Sequence, residues 1–345
     1  MDENKIGSVS QQSSSVQIAF PQTYSEVVGA WKHERESLRQ VQPLTAKKAA
    51  QKALLFEPWI GNTPINAISS ISIKEALVSL GTSGGRSGKG LSSATLRAAH
   101  LAGSQAVDWA IGNGYTDTNP FKQVARPKAN YRQSKYLTME QASTMAETMA
   151  DEVRAFMTYG DALHVAFCLA VCIAIATGMR RGEIFALEWE CVDEQMCRIN
   201  VSKAIKGEGS IGFPKSRSSI RSVAIGKGLA KLLAEVRKWQ SYELPTPEWP
   251  EPHYVILDNH GKRASMNSFE HWWRKWANDN GWKGLRFHEL RHTHATLLIA
   301  NGADVKTVQM RLGHSSAEIT MSCYAHAIPL SDSAYASSLD SSLFR

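Results

Sequence analysis

The sequence predicts a two-domain protein that is mainly α-helical, with a small antiparallel β-sheet in the second domain, an α+β arrangement. Three observations support this fold class. Helix-capping patterns precede amphipathic segments in both halves of the chain. Short β-branched segments separated by Gly- and Ser-rich turns occur between residues 197 and 225. A basic stretch at residues 131–136 separates the two halves.

The composition of the 345-residue chain limits the classes of protein to consider. Hydrophobic residues make up 43% of it, so each domain can bury a core, and the formal charge of +7 favours an anionic partner. The five cysteines show an odd count and no CxxC spacing, so we expect reduced thiols. The first twenty residues are too polar for a signal peptide, and the apolar run 163–176 is too short to span a bilayer. We therefore expect a cytoplasmic protein.

The first domain is predicted to be all-helical. Residues 1–20 are rich in Ser and Gln and predict a disordered arm. The helical domain is predicted to span residues 21–130. Its helical signals begin at Thr23, and its last helix ends near Ile111, ahead of Gly112 and Gly114. The predicted helix starts are, in chain order, Thr23 with Glu26, Thr45, Ser72 with Glu75, and Ser92.

The linker at residues 131–136 lies in a stretch without negative charge. No acidic residue occurs from Thr118 to Met139, and Pro120 and Pro127 disfavour helix. Lys128, Arg132 and Lys135 are therefore candidates for contacts with nucleic-acid phosphates. A solvated linker would have the same composition, so the charges alone leave both interpretations open.

The second domain begins near residue 137, where Thr138 and Gln141 match a capping box. The helical period is interrupted by short segments that predict a small antiparallel sheet. The predicted strands are Cys197–Ile205, Ser210–Pro214 and Arg221–Ile225. The predicted helices are 163–176, Leu229–Trp239, Met266–Ala277, His288–Ala300, Val305–Leu312 and Ala317–Ala325.

One short motif in this domain suggests zinc chemistry. Residues 288–292 fit the pattern HExxH, in which two histidines on one helix face bind zinc and the glutamate is a base. The extended pattern HExxHxxGxxH fails, because Ala295 and Leu298 occupy its Gly and third His positions. Arg291 also brings a cation to the helix face of His288, which suits an oxyanion better than a metal. We therefore expect neither a metal nor another cofactor.

Several motifs in a fixed order carry a resemblance to a known family. They are TGxRxxE at 177–183, Pro214-Lys215-Ser216 followed by Arg221-Ser222-Val223, and HxxR, LGH and Tyr within 287–327. Each motif alone is weak, whereas their order and spacing together are specific. In these motifs residues 137–327 resemble the catalytic domain of the tyrosine recombinases, the phage integrase family. Residues 21–130 resemble, more loosely, the family's helical, SAM-like core-binding domain.

The resemblance implies a nucleophile and a phosphate clamp. Tyr324 would attack the scissile phosphate, because a phenol is a better leaving group than a serine alcohol when the bond is resealed. Arg180 and Arg291 would hold the non-bridging oxygens with charge-assisted hydrogen bonds. The family pattern skips their neighbours Arg181 and His292. Storage of the bond as a phosphotyrosine implies a reaction without metal or ATP.

The resemblance also implies how protons move. Lys215 would protonate the departing 5′-oxygen, and His288 would assist proton transfer from the phenol. His314 would donate a hydrogen bond to the phosphate. Glu183 would either buttress an arginine or lie on the surface as an ordinary acid.

As a whole, the resemblance implies a two-domain DNA clamp that acts on double-stranded attachment sites. Four protomers would form a homotetramer on DNA and exchange strands through a Holliday junction, as an integrase of a mobile element. Residues 328–345 are a candidate contact with a neighbouring protomer. Accessory directionality or DNA-bending proteins are candidate partners, and no membrane partner is expected. The host would be a bacterial cell or a phage-infected cell.

Two other functions remain open at this point. A type IB topoisomerase would share the chemistry without the pairing of two sites, although the compact size disfavours it. A non-catalytic DNA-binding regulator could use the same scaffold, although the intact set of candidate residues argues against it. A covalent protein–DNA adduct separates enzyme from regulator, and recombinant product separates recombinase from topoisomerase.

Overall fold

The computed structural model describes residues 21–85, 88–128, 135–205, 209–212, 219–243, 253–314, 340–341 and 343. The chain divides into two compact units, Met1–Arg132 and Gln133–Arg345. The predicted fold class is confirmed, since helices dominate both units and the described strands all lie in the second. Within these ranges, no helix has the length and apolar character needed to cross a membrane.

The first unit is helical. Its α-helices in the described residues are α1 (Tyr24–Ser37), α2 (Pro43–Ala53), α3 (Glu57–Ile60), α4 (Ser70–Ser83) and α5 (Ser93–Gly112). They enclose a core that includes Tyr24, Phe56 and Phe121. The predicted capping box of Thr23 and Glu26 is confirmed at the start of α1.

Two predicted helix starts in this unit are displaced. Helix α4 is capped by Ser69, whose hydroxyl accepts from the Ser72 N–H at 3.1 Å, so the predicted start at Ser72 is wrong by three residues. The reason is that this cap places Ile68 and Ile73, on either side of the first turn, together in the core. Helix α2 starts at Pro43 rather than at Thr45. The reason is that the fixed φ of proline suits the first turn of a helix.

The second unit surrounds a buried central helix. Its described helices are α6 (Met139–Thr158), α7 (Ala162–Thr177), α8 (Arg181–Ile184), α9 (Lys227–Glu243), α10 (Met266–Asp279), α11 (Phe287–Ala300) and α12 (Val305–Leu312). Helix α7 is buried on nearly all sides, as its continuous apolar sequence predicts. Capping of α6 by Thr138 and Gln141 is confirmed. The predicted helix at Ala317–Ala325 lies outside the described residues.

The strands in the described residues form two small antiparallel sheets. They are β1 (Val192–Asp193), β2 (Arg198–Val201), β3 (Ala204–Ile205), β4 (Ile211–Gly212) and β5 (Arg221–Ala224). One sheet has the order β1-β2-β5, and β3 pairs with β4. The segment Cys197–Ile205, predicted as one strand, is therefore two strands with different partners. The side chains of β2 alternate between exposed and buried, because one face of its sheet packs on the core.

The described cysteines Cys168, Cys172, Cys191 and Cys197 are free thiols. The first two are buried in α7, whereas Cys191 and Cys197 are only partly buried. Cys323 lies outside the described residues.

Candidate active site

The site is built around the carboxyl end of α7. Gly178 caps this helix in the left-handed conformation, with φ of 65°, and its N–H donates to Ala174 O at 2.9 Å. A Cβ here would lie 2.6 Å from a methyl carbon of Leu312 and 2.8 Å from the His294 ring. The Thr-Gly break in the sequence is thus a requirement of close packing, and it directs the chain towards Arg180.

Arg291 joins three segments from its position on α11. Its side chain is buried, and it donates from Nη1 to Gly178 O at 2.7 Å and from Nη2 to Leu312 O at 2.8 Å. Both acceptors lie at the carboxyl end of a helix, where the aligned peptide dipoles favour a cation. These two carbonyls thereby hold the guanidinium of Arg291 in one orientation.

Arg180 reaches the same turn from the other side. Its Nη2 donates to Gly313 O at 3.0 Å, next to the carbonyl that Arg291 uses. Its Nη1 donates to Glu183 Oε1 at 2.9 Å, and 38% of the side chain is exposed. The structure therefore brings Arg180 and Arg291 to consecutive carbonyls, which suits two cations that share one phosphate.

Glu183 is the carboxylate behind Arg180, and it is not a surface acid. It is 2% exposed and accepts hydrogen bonds from both Arg180 and Arg221. Burial raises the pKa of Glu183, but hydrogen bonds and charge from Arg221, then from Arg180, hold that pKa below its ordinary value overall. Of the two interpretations of Glu183, the structure favours the buttress.

His314 follows directly after the Gly313 turn. Its backbone N–H donates to Gln309 O at 3.1 Å, and the residue is buried. Desolvation, then the charges of Arg291 and Arg180, lower the pKa of His314 to about 4. The imidazole is therefore neutral near pH 7 and can donate one hydrogen bond.

His288, one turn before Arg291 on α11, is exposed, and its ring packs edge to face on His292 at 5.3 Å. Partial desolvation, then the neighbouring His292 and Arg291, lower the pKa of His288 to about 4. A neutral imidazole beside fixed cations can accept a proton once an anion arrives, because the anion raises its pKa.

The zinc interpretation of HExxH finds no support in this geometry. Glu289 is buried and accepts from Arg286 N at 2.7 Å and from Lys135 N at 3.1 Å, so its carboxylate serves the start of α11. Within the described ranges, the side chains close enough to share a metal ion are Glu188, Glu190 and Cys191. That group includes neither histidine of the motif.

The remaining predicted residues are only partly described. Lys215, Tyr324 and Arg132 lie outside the described residues. Lys128 is exposed in the first unit. Lys135 belongs to the second, where its Nζ donates to Lys283 O at 3.1 Å beside a surface cavity of about 450 Å³.

Three further residues lie near the predicted ones. Arg181, whose position the family pattern skips, forms an ion pair with Glu270 on α10. His294 and Arg311 pack behind the clamp, where His294 Nε2 accepts from Arg311 Nε at 2.9 Å. The sequence carried no signal for this pair, since neither residue belongs to a motif and their contact depends on how α11 and α12 pack.

The sequence profile of the phage integrase family matches residues 135–329, more than half of the chain. The chain belongs to the phage integrase family. The resemblance predicted from the sequence motifs is thereby confirmed. The matched range contains every candidate residue of the clamp and also Lys215 and Tyr324.

Two curated relatives of this chain are named as an integrase and as a tyrosine recombinase. The ICEBs1 integrase of Bacillus subtilis is 27% identical over 255 residues, 73% of this chain and 66% of the relative. A XerC-like tyrosine recombinase of Caldanaerobacter subterraneus is 29% identical over 264 residues, 70% of this chain and 64% of the relative. The chain thus spans just under two thirds of the length of these two relatives.

Solved structures show the same fold. The integrase of the transposon Tn1549, in complex with a circular intermediate DNA, matches with a TM-score of 0.72 and 21% identity, over 92% of this chain and 99% of that one. A lambda integrase tetramer bound to a Holliday junction matches with a TM-score of 0.62 and 18% identity, over 86% and 78% of the two chains.

Proposed function

We propose that this chain is a site-specific DNA recombinase, the integrase of a mobile genetic element. It cuts and rejoins DNA through a 3′-phosphotyrosine at Tyr324 and a Holliday junction, without metal or ATP. The observation that carries this proposal is the pair of guanidiniums of Arg180 and Arg291 on consecutive carbonyls. Cations fixed in advance around one position stabilise the charge that develops on a phosphate in the transition state.

In the proposed cleavage step, the phenol oxygen of Tyr324 attacks the phosphorus as the bond to the 5′-oxygen breaks. His288 accepts the phenolic proton. Because its pKa is lowered to about 4, the imidazole is unprotonated before this step. Lys215 protonates the departing oxygen, and His314 donates a hydrogen bond to the phosphate. Attack by a 5′-hydroxyl on the phosphotyrosine then reseals the strand, so the bond energy is conserved.

The partner of this reaction is double-stranded DNA that carries attachment sites. Residues 21–130 act as the core-binding domain and 137–327 as the catalytic domain, together forming a clamp around the duplex. Residues 328–345 contact a neighbouring copy in a homotetramer. Support comes from the solved relatives, one in complex with DNA and one a tetramer on a Holliday junction. Accessory directionality or DNA-bending proteins would act with the chain in the cytoplasm of the host.

The decisive experiment tests whether Tyr324 is the nucleophile. DNA recovered with the chain from cells identifies an attachment site, from which a nicked suicide substrate is made. We expect the wild type to form a covalent adduct on a denaturing gel, in EDTA as in buffer. Tyr324→Phe should bind the same DNA and form none, because only the attacking oxygen is removed.

The possible outcomes separate the three candidate functions. An adduct that persists in Tyr324→Phe contradicts the assignment of the nucleophile. An adduct without recombinant product between two sites favours a topoisomerase, and binding without any adduct favours a regulator. Loss of activity in EDTA that zinc restores would revive the HExxH interpretation.

A further inference from the structure

Arg221, the first residue of β5, is a buried arginine that contacts three segments of the second unit. Its side chain is 6% exposed. Nε donates to Arg311 O at 2.6 Å, Nη1 to Ser219 O at 3.0 Å, and Nη2 to Glu183 Oε2 at 3.0 Å. A buried guanidinium with its donors this fully used has one preferred position.

The first connection runs through Glu183 to Arg180. Glu183 Oε1 accepts from Arg221 Nη1 at 3.3 Å and from Arg180 Nη1 at 2.9 Å. Its Oε2 accepts from Arg221 Nη2 and, at 2.9 Å, from the backbone N–H of Arg180. One buried carboxylate therefore lies between the two guanidiniums and orients both.

The electrostatic consequence concerns the charge that Arg180 can offer a phosphate. Arg180 paired with Glu183 alone would form a neutral couple. With Arg221 on the same carboxylate, the three side chains carry one net positive charge, and Arg221 is the more buried of the two cations. The charge of Arg180, which is 38% exposed, is thus left for an incoming anion.

The second connection runs through the end of α12. Three consecutive carbonyls there, those of Arg311, Leu312 and Gly313, each accept from a different arginine. In the same order these are Arg221, Arg291 and Arg180. Arg221 therefore also anchors the turn that presents the candidate His314.

We propose that Arg221 is a positioning residue of the recombination reaction, acting through Glu183 on Arg180 and through the Arg311 carbonyl on the turn at His314. It does not touch DNA itself. This inference rests on the proposed function.

The test compares Arg221→Met and Arg221→Lys with Arg237→Met, which removes an exposed arginine that pairs with Glu194 on the surface of the same unit. Single-turnover cleavage is measured on the suicide substrate, together with DNA affinity and thermal melting. We expect both Arg221 variants to cleave about 10- to 100-fold more slowly at unchanged affinity, because lysine cannot make the paired contacts. Arg237→Met should cleave like the wild type.

A second substrate separates positioning from general stability. It carries a methylphosphonate at the scissile position, so that the phosphorus centre has no negative charge to neutralise. The defect of the Arg221 variants should shrink on this substrate. It should also shrink in the background of Arg180→Ala, where only the connection through the Arg311 carbonyl to the turn at His314 remains. Equal defects on both substrates, or effects that add to Arg180→Ala, would show a merely structural role.

The two proposals fail in different ways. If the wild type forms no adduct on either substrate, the proposed function is wrong. If the wild type reacts and both Arg221 variants react as fast, only the inference on Arg221 is wrong. Should Arg221→Met melt below the assay temperature, Arg221→Lys, which keeps the charge, decides the question on the same two substrates.

Discussion

Arg180 and Arg181 are neighbours in the sequence with different surroundings in the structure. Arg180 donates to the Gly313 carbonyl and to Glu183, at the centre of the clamp. Arg181 forms an ion pair with Glu270, and both side chains are about one third exposed. The short helix α8 separates the two because Arg180 is its cap, with extended backbone, and Arg181 is its first helical residue.

Substitutions at Arg180 and Arg181 can therefore be compared as a matched pair. We expect Arg180→Lys to slow covalent adduct formation by roughly 100-fold or more, because lysine loses the paired donors that meet a phosphate. Arg181→Lys should change it by less than about threefold, since exposed ion pairs contribute little. Single-turnover cleavage of the suicide substrate measures both. Similar losses in the two variants would contradict the assignment of Arg180.

His294 predicts how stability depends on pH. The residue is buried, its Nδ1 donates to Ile175 O at 2.8 Å, and desolvation, then the charge of Arg311, lower its pKa from 6.5 to about 4. At a pH between these two values, the imidazole of His294 is protonated more often in the unfolded chain than in the folded one. The contribution of neutral His294 to the free energy of unfolding is therefore fully present above pH 6.5. It falls by about 3 kcal/mol in all as the pH drops towards 4.

Urea unfolding at pH 7 and pH 4.5 tests this. His294→Gln should lower stability at pH 7 and reduce the loss between the two pH values, because the titrating group is gone. His271→Gln, on the exposed face of α10, serves as the control for the same substitution at a surface position. An unaltered pH dependence in His294→Gln would show that other groups account for it.

At the scale of elements, the end of α7 depends on a glycine. Gly178 has φ of 65° and no space for a Cβ beside Leu312 and His294. Gly302, after α11, has φ of 86° and open space around it. The two glycines therefore separate the cost of backbone strain from the cost of overpacking.

We expect Gly302→Ala to lower the free energy of unfolding by about 1 kcal/mol, the strain of a left-handed alanine. Gly178→Ala should lower it by about 2–4 kcal/mol, since a steric clash is added. It should also slow cleavage, because Gly178 O holds Arg291. Denaturant titration of both variants measures the difference, and equal losses would argue against the close packing of α7, α11 and α12.

The basic linker at residues 131–136 joins the two units of the molecule. Lys128 and Lys135 are exposed in the first and second unit, respectively, and Arg132 lies outside the described residues. If the two domains bind opposite faces of a duplex, as proposed, the linker between them passes close to the phosphates. Such contacts are independent of sequence and sensitive to salt.

Replacing Lys128, Arg132 and Lys135 with Ala should weaken binding to the attachment site and to random duplex by similar factors. The slope of log affinity against log salt should fall by roughly 2 to 3 if each residue meets one phosphate. Salt titrations of wild type and triple variant on both duplexes decide this. An unchanged slope would leave the solvated linker as the correct interpretation.

The fold class, most helix positions and the family could be predicted from the amino-acid sequence alone. Capping boxes at Thr23 and Thr138 and the apolar run of α7 are local signals, and such signals predict where a helix starts and how apolar it is. The motifs identified the family because the recombination chemistry that it implies needs two arginines and a tyrosine, and these residues occur in the family's order and spacing.

Which arginines lie together depends on the tertiary packing. Arg180, Arg221 and Arg291 come from three distant segments, and only the packing of α7, β5 and α11 against the end of α12 brings them to consecutive carbonyls. Local pattern cannot show that Glu183 is buried between two of them, or that His294 and Arg311 meet behind the clamp. The reason is physical: burial and hydrogen-bond partners are set by contacts between residues far apart in the chain, and a buried charge keeps its place only where such contacts compensate it.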